Sequence, residues 1–209
     1  MRLRSLVLAA AIAAALPAAA RAQAPGIDLQ LVPKVGFYTP VSDLYDAADA
    51  GAEIVDDRGG SLAIGLGVDL ALPFLPLDLR VGFDYVTNSE FTIDDGTTQS
   101  TIEQQMIAIT GDVILRPLPR VIVLQPYLLA GAGVKQYDFE PQDASSGLEA
   151  FDESDFTLHG GLGVDLGVGP LALVAEVSDY ISWFEPEGAD ESEMQHDLFF
   201  MAGIRVGMF

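Results

Sequence analysis

Apolar and polar residues alternate along most of the chain after residue 26, in eight separate segments. In the second segment, Ser61–Leu72, aliphatic residues occupy every other position, and the residues between them are mostly small. Successive side chains of a β-strand point to opposite faces, so each segment has one continuous apolar face. The pattern predicts eight β-strands. The segments cover residues 27–38, 61–72, 77–85, 104–116, 121–137, 156–168, 171–178 and 198–209.

The fifth segment does not show which of its faces is apolar. Placing Leu128, Ala130, Ala132 and Val134 together on the outer face buries fewer charges in an apolar environment than the opposite choice. Both phases stay open at this point.

The connections between the segments alternate strictly between long and short. The short ones, Pro73–Pro76, Pro117–Arg120 and Gly169–Pro170, contain proline, and the long ones are polar. Eight strands joined in this way place both termini on the side of the short turns, which is the arrangement of bacterial outer-membrane barrels. The long connections are approximately residues 39–60, 88–101, 138–154 and 184–196.

The first residues predict export from the cytoplasm. Arg2 and Arg4 precede an apolar run from Ser5 to Ala20, which is too short for the ~20 residues of a membrane-spanning helix. Small residues at Ala20 and Ala22 are typical of a signal-peptidase site. We therefore expect residues 1–22 to be a signal peptide and residues 23–209 to form one β-barrel domain.

Charge and cysteine content narrow the class of protein. Without Arg2, Arg4 and Arg21, 7 basic residues remain against 31 acidic ones, and such an acidic chain excludes nucleic acid as a partner. The chain has no cysteine, so disulfides do not hold an exported fold together. No later segment is apolar for long enough to be a membrane helix, and a chain that enters lipid without one must close into a barrel.

Alternation alone does not say which face of the barrel is wet, because a soluble lipocalin-like barrel turns its apolar face inward. Here the apolar faces are aliphatic and unbroken over a length close to that of strands that cross a bilayer obliquely. The opposite faces combine glycine with charges of both signs, which suits a narrow lumen in which charges are paired. We predict an eight-stranded antiparallel transmembrane β-barrel of the up-and-down type. The predicted lumen charges are Asp69, Asp78, Arg80, Asp84, Asp112, Arg116, Asp165, Glu176 and Arg205.

Two segments carry a resemblance to a known family. Pro126–Gly133 and Gly203–Phe209, together with the architecture, resemble the OmpA/OmpX-type family of small outer-membrane β-barrel domains over nearly the whole mature chain. The resemblance implies a bacterial outer-membrane location and a role for Phe209 as the signal that the barrel-assembly machinery recognises. Arg205 and Gly207 depart from the family pattern, in which apolar residues often stand in phase with the terminal phenylalanine.

The four long connections hold 20 of the 31 acidic residues and one base, Arg58. One interpretation is an anionic surface that binds divalent cations and bridges to lipopolysaccharide phosphates, since Ca²⁺ accepts clustered carboxylates. The other is a set of solvated loops that charge keeps soluble. No spacing matches a Ca²⁺-loop motif, which favours the solvated loops. The weak Ca²⁺ candidates are Asp94, Asp95, Asp152 and Glu153.

His159 is one of two histidines and is expected to face the lumen. An outer-membrane lipid hydrolase would need a serine within hydrogen-bonding distance of it, at the lipid-facing surface. Nothing places a serine there, and His196 at a loop edge carries no signal. The sequence favours an interior histidine that has its hydrogen bonds satisfied.

The aromatic residues near the long connections are candidates for the outer aromatic girdle, although some of them are equally suited to pack the bases of loops. These residues are Tyr38, Tyr85, Tyr137, Trp183 and Phe184.

These observations favour a non-enzymatic structural or surface-interaction barrel that displays four acidic loops, without a cofactor and as a monomer. The expected partners are outer-membrane lipid, lipopolysaccharide, the assembly machinery and, at the loops, divalent cations. A narrow transport barrel for small apolar molecules is the alternative, and a lipid hydrolase is the second. Eight strands leave an interior that side chains fill, so a plugged lumen is favoured over a conducting one.

Overall fold

The computed structural model describes residues 28–41, 53–56, 59–72, 75–94, 99–118, 123–141, 151–168, 171–184 and 193–208. They form nine strands and no helix. The strands are β1 (Asp28–Pro40), β2 (Glu53–Asp56), β3 (Ser61–Ala71), β4 (Leu77–Asp94), β5 (Gln99–Leu115), β6 (Leu124–Pro141), β7 (Phe151–Val168), β8 (Leu171–Phe184) and β9 (Glu193–Met208).

Eight of the nine strands close into an antiparallel barrel. The ring runs β1-β3-β4-β5-β6-β7-β8-β9 and returns to β1. The short β2 lies outside the ring and pairs with the far end of β4 through Ile54 and Ile93. The predicted eight-stranded barrel is thus confirmed, with one strand added. Among the described residues, no helix has the length and apolarity needed to span a membrane.

The strands are strongly staggered. Following hydrogen-bonded partners once around the ring from Leu31 leads back to β1 at Val41, whose amide donates to the carbonyl of His196 at 2.9 Å. A stagger of about ten residues over eight strands tilts the strands by about 40° from the barrel axis, using ~3.3 Å per residue and ~4.8 Å per strand.

In the eight barrel strands, burial alternates where side chains are described, and it shows which face is outside. On β7, Leu162 and Phe156 are both 59% exposed, whereas Thr157 and Asp165 between the exposed positions are buried. From Leu166 to Phe156 the outward residues of β7 are all apolar or glycine, over a height of about 25 Å, which matches the apolar band of an outer-membrane barrel. The leucine-rich face is therefore the outer face.

The fifth segment, now β6, has the phase that was favoured from its charges. Leu128, Ala130 and Val134 are exposed on the outer face, and Tyr127 and Lys135 are buried in the lumen.

The strands extend well beyond the segments that alternation marked. The second polar connection, predicted as residues 88–101, is largely a paired hairpin of β4 and β5 up to Asp94 and Gln99. The predicted loop boundaries at 138–154 and 184–196 are also wrong, since β6, β7 and β9 continue into them. Outside the membrane an outward side chain is free to be polar while backbone pairing continues, so alternation of apolar residues ends before the strand does.

Two of the five predicted girdle residues are on the wrong side of the wall. Tyr38 and Tyr137 are 1% and 0% exposed and lie in the lumen, because they have the same parity as Lys34 and Lys135 on their strands. Trp183 is 44% exposed on the outer face, and the hydroxyl of Tyr85 donates to outward Gln105 at 3.1 Å. The side chain of Phe184 lies outside the described part.

Candidate functional site

The lumen holds every lysine and arginine that the structure describes. Five basic and seven acidic side chains are buried there, each less than 9% exposed, and we call these twelve the lumen network. Buried charges of this number persist only when each is paired or hydrogen-bonded. Its members are Lys34, Arg80, Arg116, Lys135, Arg205, Asp69, Asp78, Asp84, Asp112, Asp165, Glu176 and Asp197.

At the short-turn end of the lumen, an arginine joins opposite walls. The Arg205 guanidinium on β9 contacts Asp69 on β3 at 3.3 Å and Asp165 on β7. Both aspartates belong to the string Gly-Leu-Gly-Val-Asp-Leu, which occurs at 65–70 and again at 161–166. The repeated strings therefore face each other across the lumen and bind the same guanidinium.

Arg116 forms a second bridge at this end. Its Nε donates to Asp78 at 2.5 Å, and its Nη1 donates to Asp165 on β7. Asp165 thus lies between the guanidinium groups of Arg116 and Arg205.

The ring of Tyr127 lies among three guanidinium groups. The Cζ atoms of Arg116, Arg205 and Arg80 are 5.0, 5.8 and 6.0 Å from its centroid. Gly163 is the register partner of Tyr127, and a Cβ at Gly163 would overlap the tyrosine ring. A glycine is required here because the aromatic ring occupies the space of a side chain.

Glu176 of the lumen network binds donors from three other strands. It accepts hydrogen bonds from Lys34 Nζ at 2.7 Å, from Arg80 Nη1 at 2.6 Å and from the Tyr127 hydroxyl at 2.6 Å. Arg80 also binds Asp69, through Nε at 2.6 Å and Nη2 at 3.0 Å. These contacts connect β1, β3, β4, β6 and β8 through one carboxylate and its donors.

His159 lies farther toward the long-loop end, between a carboxylate and a tyrosine. Its Nδ1 is 2.8 Å from Asp112 Oδ1, and its ring stacks on Tyr180 with centroids 4.1 Å apart. The Tyr180 hydroxyl donates to Asp84 Oδ2 at 2.5 Å. His159 Nε2 has no hydrogen-bond partner in the described part of the chain, so the serine contact that the hydrolase hypothesis requires of this histidine is not made there.

A belt of buried apolar and aromatic side chains follows toward the long loops. The belt consists of Tyr38, Ala63, Val86, Met106, Ala108, Tyr137, Tyr180, Phe199 and Met201.

Asp197 covers the belt from the long-loop end. It accepts from Tyr38 at 2.7 Å, from Tyr137 at 2.6 Å and from Lys135 Nζ at 2.5 Å. A charged layer, an aromatic belt and a second charged layer therefore occupy the lumen in turn.

The nine lumen charges predicted from the sequence all lie buried in the lumen. Sequence reasoning did not single out the other three members of the network, Lys34, Lys135 and Asp197, which are 6%, 0% and 0% exposed. The alternation along the strands could have revealed them, because residues an even number of positions apart share a face. Lys135 shares a face with Tyr127, and Asp197 shares a face with Arg205.

The Ca²⁺ candidates are not assembled into a described site. Asp94 lies in β4 opposite Glu53, and Asp152 and Glu153 lie in β7 opposite Asp138 and Tyr137. Among the residues that the structure describes, no group of three or more His, Cys, Asp or Glu side chains is arranged to hold a metal ion. Asp95 and Phe209 fall outside the described residues.

An acidic residue of β8 lies on the outer face of the barrel wall among apolar neighbours. Asp179 occupies an odd-numbered position of β8, like exposed Leu171 and Leu173, and therefore points outward. Its Oδ2 is 2.7 Å from His196 Nδ1 on β9. The side chains of His196 and Asp179 are 38% and 26% exposed. Contrary to the expectation from sequence, His196 is part of a strand and of a polar pair.

Comparison with known proteins agrees with this architecture. The chain matches the family model described as "Outer membrane protein beta-barrel domain" over residues 6–205. No curated protein matches the chain in sequence.

Two solved structures share the fold at low sequence identity. A major outer membrane protein of Thermus thermophilus is similar with a TM-score of 0.58 at 14% identity, covering 87% of this chain and 99% of the other. Neisserial surface protein A is similar with a TM-score of 0.56 at 12% identity, covering 87% of this chain and 96% of the other.

Proposed function

Because the chain belongs to the outer membrane protein β-barrel domain family, we propose that it is a structural, surface-interaction barrel of the bacterial outer membrane. Its location in the outer membrane and the resemblance to small OmpA/OmpX-type barrels are established by the family. The proposal concerns what the barrel does there: it stays closed to solutes and supports acidic connections outside the cell.

The single observation that carries the proposal is the lumen network. Its ion pairs cross the lumen from wall to wall: Arg80 on β4 binds Glu176 on β8, and Lys135 on β6 binds Asp197 on β9. A solute would have to separate these pairs, and breaking a buried ion pair costs about 3–5 kcal/mol. Two charged layers with an aromatic belt between them support a plug rather than a pathway for apolar molecules.

The distribution of charge supports the surface role. The described lysines and arginines are buried in the lumen, where they balance most of the seven network carboxylates. The chain carries 31 acidic residues in total, so most of its negative charge lies outside the lumen network. We propose that the long connections present this charge to the exterior, where divalent cations are the counter-ions that bridge carboxylates to lipopolysaccharide phosphates.

Conductance of refolded barrels in planar bilayers tests the plug. We expect no unitary current steps from the wild type, and a steady open level would contradict a closed barrel. The variant Glu176→Ala, which removes the acceptor shared by Lys34 and Arg80, is expected to produce flickering steps. Ser178→Ala, in the same face of β8, is the matched control and should stay silent.

The surface role is tested in a strain that lacks the gene. Complementation with the wild type is expected to restore resistance of the outer membrane to an apolar dye. A variant with the acidic residues of 185–192 changed to their amides should restore it less well in low magnesium. Equal rescue by both would mean that the acidic connections do not contribute.

We further propose that residues 1–22 are removed on export and that the barrel is a monomer delivered by the assembly machinery through Phe209. The apolar run after Arg2 and Arg4 supports the first point, and the resemblance of Gly203–Phe209 to the OmpA/OmpX-type family supports the last.

A further inference from the structure

The outer surface of the barrel differs between its two ends. Toward the long loops, outward positions become polar on six of the strands. The polar residues are Thr39, Thr87, Gln105, Gln136, Ser154 and His196. At the short-turn end, every outward side chain that the structure describes is apolar. In the described part of the chain, the apolar surface therefore has a polar border at the long-loop end and none at the short-turn end.

Five exposed leucine and valine side chains extend this surface into the short turns. Each is at least 40% exposed, and they lie in the turns after β3 and β5 and at, or just before, the first residues of β6 and β8. We call them the apolar rim: Leu75, Leu118, Val123, Leu124 and Leu171. The rim is continuous with the lipid-facing wall, since Leu124 is the register partner of outward Leu166 on β7.

The apolar surface is taller than the core of one bilayer. On β8, Leu171 and Trp183 are twelve positions apart, or about 30 Å along the barrel axis at ~3.3 Å per residue and a tilt of about 40°. The apolar band of an outer-membrane barrel is about 25 Å tall. One end of this surface must therefore lie outside the hydrocarbon.

Asp179 indicates which end lies outside. This outward carboxylate is eight positions from Leu171, or about 20 Å along the axis, and its bond to His196 is directed toward the long loops. A charged side chain on the lipid face is least unfavourable at the membrane interface. With the outer boundary of the hydrocarbon at Asp179, a core of about 25 Å reaches about 5 Å past Leu171, which is the level of the short turns. Ile181 and Trp183 then lie in the interface, where tryptophan is favoured.

The short turns are suited to this position. Backbone groups at membrane depth must be satisfied within the protein, and five of the ten residues in the three short connections are proline, which has no N–H. Leu75 N–H donates to the Leu72 carbonyl at 3.0 Å, and Gly167 N–H donates to the Val123 carbonyl at 2.9 Å. The only charged residue in the three connections is Arg120, whose long stem can carry the guanidinium to the lipid headgroups.

We propose that the apolar rim lies in the hydrocarbon of the inner leaflet, in contact with phospholipid acyl chains, and that Asp179 marks the outer boundary of the hydrocarbon. The barrel is therefore displaced toward the periplasm, and the wall beyond Asp179 meets the headgroups of the outer leaflet. The proposal rests on the outer-membrane location and is independent of the role of the loops.

Spin labels on single cysteines measure the depth of each site, because the chain has no cysteine of its own. Barrels are reconstituted one per nanodisc in phosphatidylcholine with a core of about 25 Å, which leaves both membrane faces open to water. Power saturation compares collisions with oxygen, which concentrates in hydrocarbon, and with a water-soluble nickel chelate. Leu118→Cys should favour oxygen severalfold, like Ile109→Cys in the middle of the wall, and Gln136→Cys should favour nickel.

A label at Leu118 that meets as much nickel as one at Gln136 would overturn the proposal. The rim would then be in water and available to a periplasmic protein.

A second pair of variants tests whether Asp179 sets the level of the barrel. Asp179→Leu makes the outward face of β8 apolar as far as Trp183, so the barrel is free to centre its apolar surface in the bilayer. The label at Leu118 should then lose oxygen contact, and the label at Gln136 should gain it. Val177→Leu, on the same face of β8, should shift neither label. Unchanged depths in Asp179→Leu would overturn the assignment of the outer boundary.

Discussion

Replacing Glu176 with glutamine perturbs the centre of the lumen network while keeping the shape of the side chain. The carboxylate accepts from Lys34, Arg80 and Tyr127, which lie on three other strands. Loss of one partner of a buried ion pair costs about 3–5 kcal/mol. Arg80 keeps two bonds to Asp69, and Lys34 keeps Asp84 at 3.7 Å, so we take the lower end, about 3 kcal/mol.

The free energy of unfolding is measured by reversible urea titration of the barrel in lipid vesicles. Trp183 is the only tryptophan of the chain and is exposed on the outer face, so its fluorescence reports transfer between lipid and water. Ser178→Ala, also buried in the lumen on β8, serves as the control and should cost much less. If Glu176→Gln lowered the free energy of unfolding by less than about 1 kcal/mol, the network would not be the stabilising plug described above.

Three further outcomes follow from named contacts. Gly163→Ala should destabilise the barrel by about 1–3 kcal/mol because its Cβ meets the Tyr127 ring. Gly160→Ala, whose Cβ points into open space, should change the free energy of unfolding by less than about 0.5 kcal/mol. Paired urea titrations compare the two variants. Tyr127→Phe should cost about 1.5 kcal/mol in the same assay, since it loses the hydrogen bond to Glu176 and keeps the ring among the guanidinium groups. The intact mass of protein extracted from outer membranes should correspond to a chain that begins at Gln23, and a mass that includes residues 1–22 would contradict cleavage.

The wall of the barrel was predictable because one face of each strand meets lipid and the other meets the polar lumen. Apolar and polar residues therefore alternate with a period of two along the sequence. In β6 the alternation did not show which face is apolar. The need to keep Lys135 out of lipid favoured the arrangement in which Leu128 and Val134 point outward, and the structure has this arrangement. The upper parts of β4 and β5 were not predictable in this way. Glu90 and Thr92 lie beyond the apolar band, so nothing in their chemistry distinguishes a paired strand from a loop.

For the lumen, the sequence predicted nine of the twelve charges of the lumen network but not how they pair. Arg205 and Asp69 are separated by 136 residues, and their meeting depends on the stagger of about ten residues that sets the tilt of the strands. Several carboxylates point into the lumen, and only the register between neighbouring strands decides which of them a given guanidinium reaches. His196 escaped notice for a related reason, because its partner Asp179 is defined by the register of β8 with β9.

The arrangement of the lumen network bears on how the barrel assembles. Lys34 on β1 pairs with Glu176 on β8, and Arg205 on β9 pairs with Asp69 on β3, so both contacts cross the seam where the first and last strands meet. Before that seam closes, these two ion pairs cannot form, and Lys34 and Arg205 keep only the carboxylates on their own side of the seam, Asp84 and Asp165. In an open sheet lying in lipid, these charged groups would lose water without gaining all of their partners. The nascent interior must therefore stay hydrated until β1 joins β9, and its dehydration and the closure of the seam form one cooperative event.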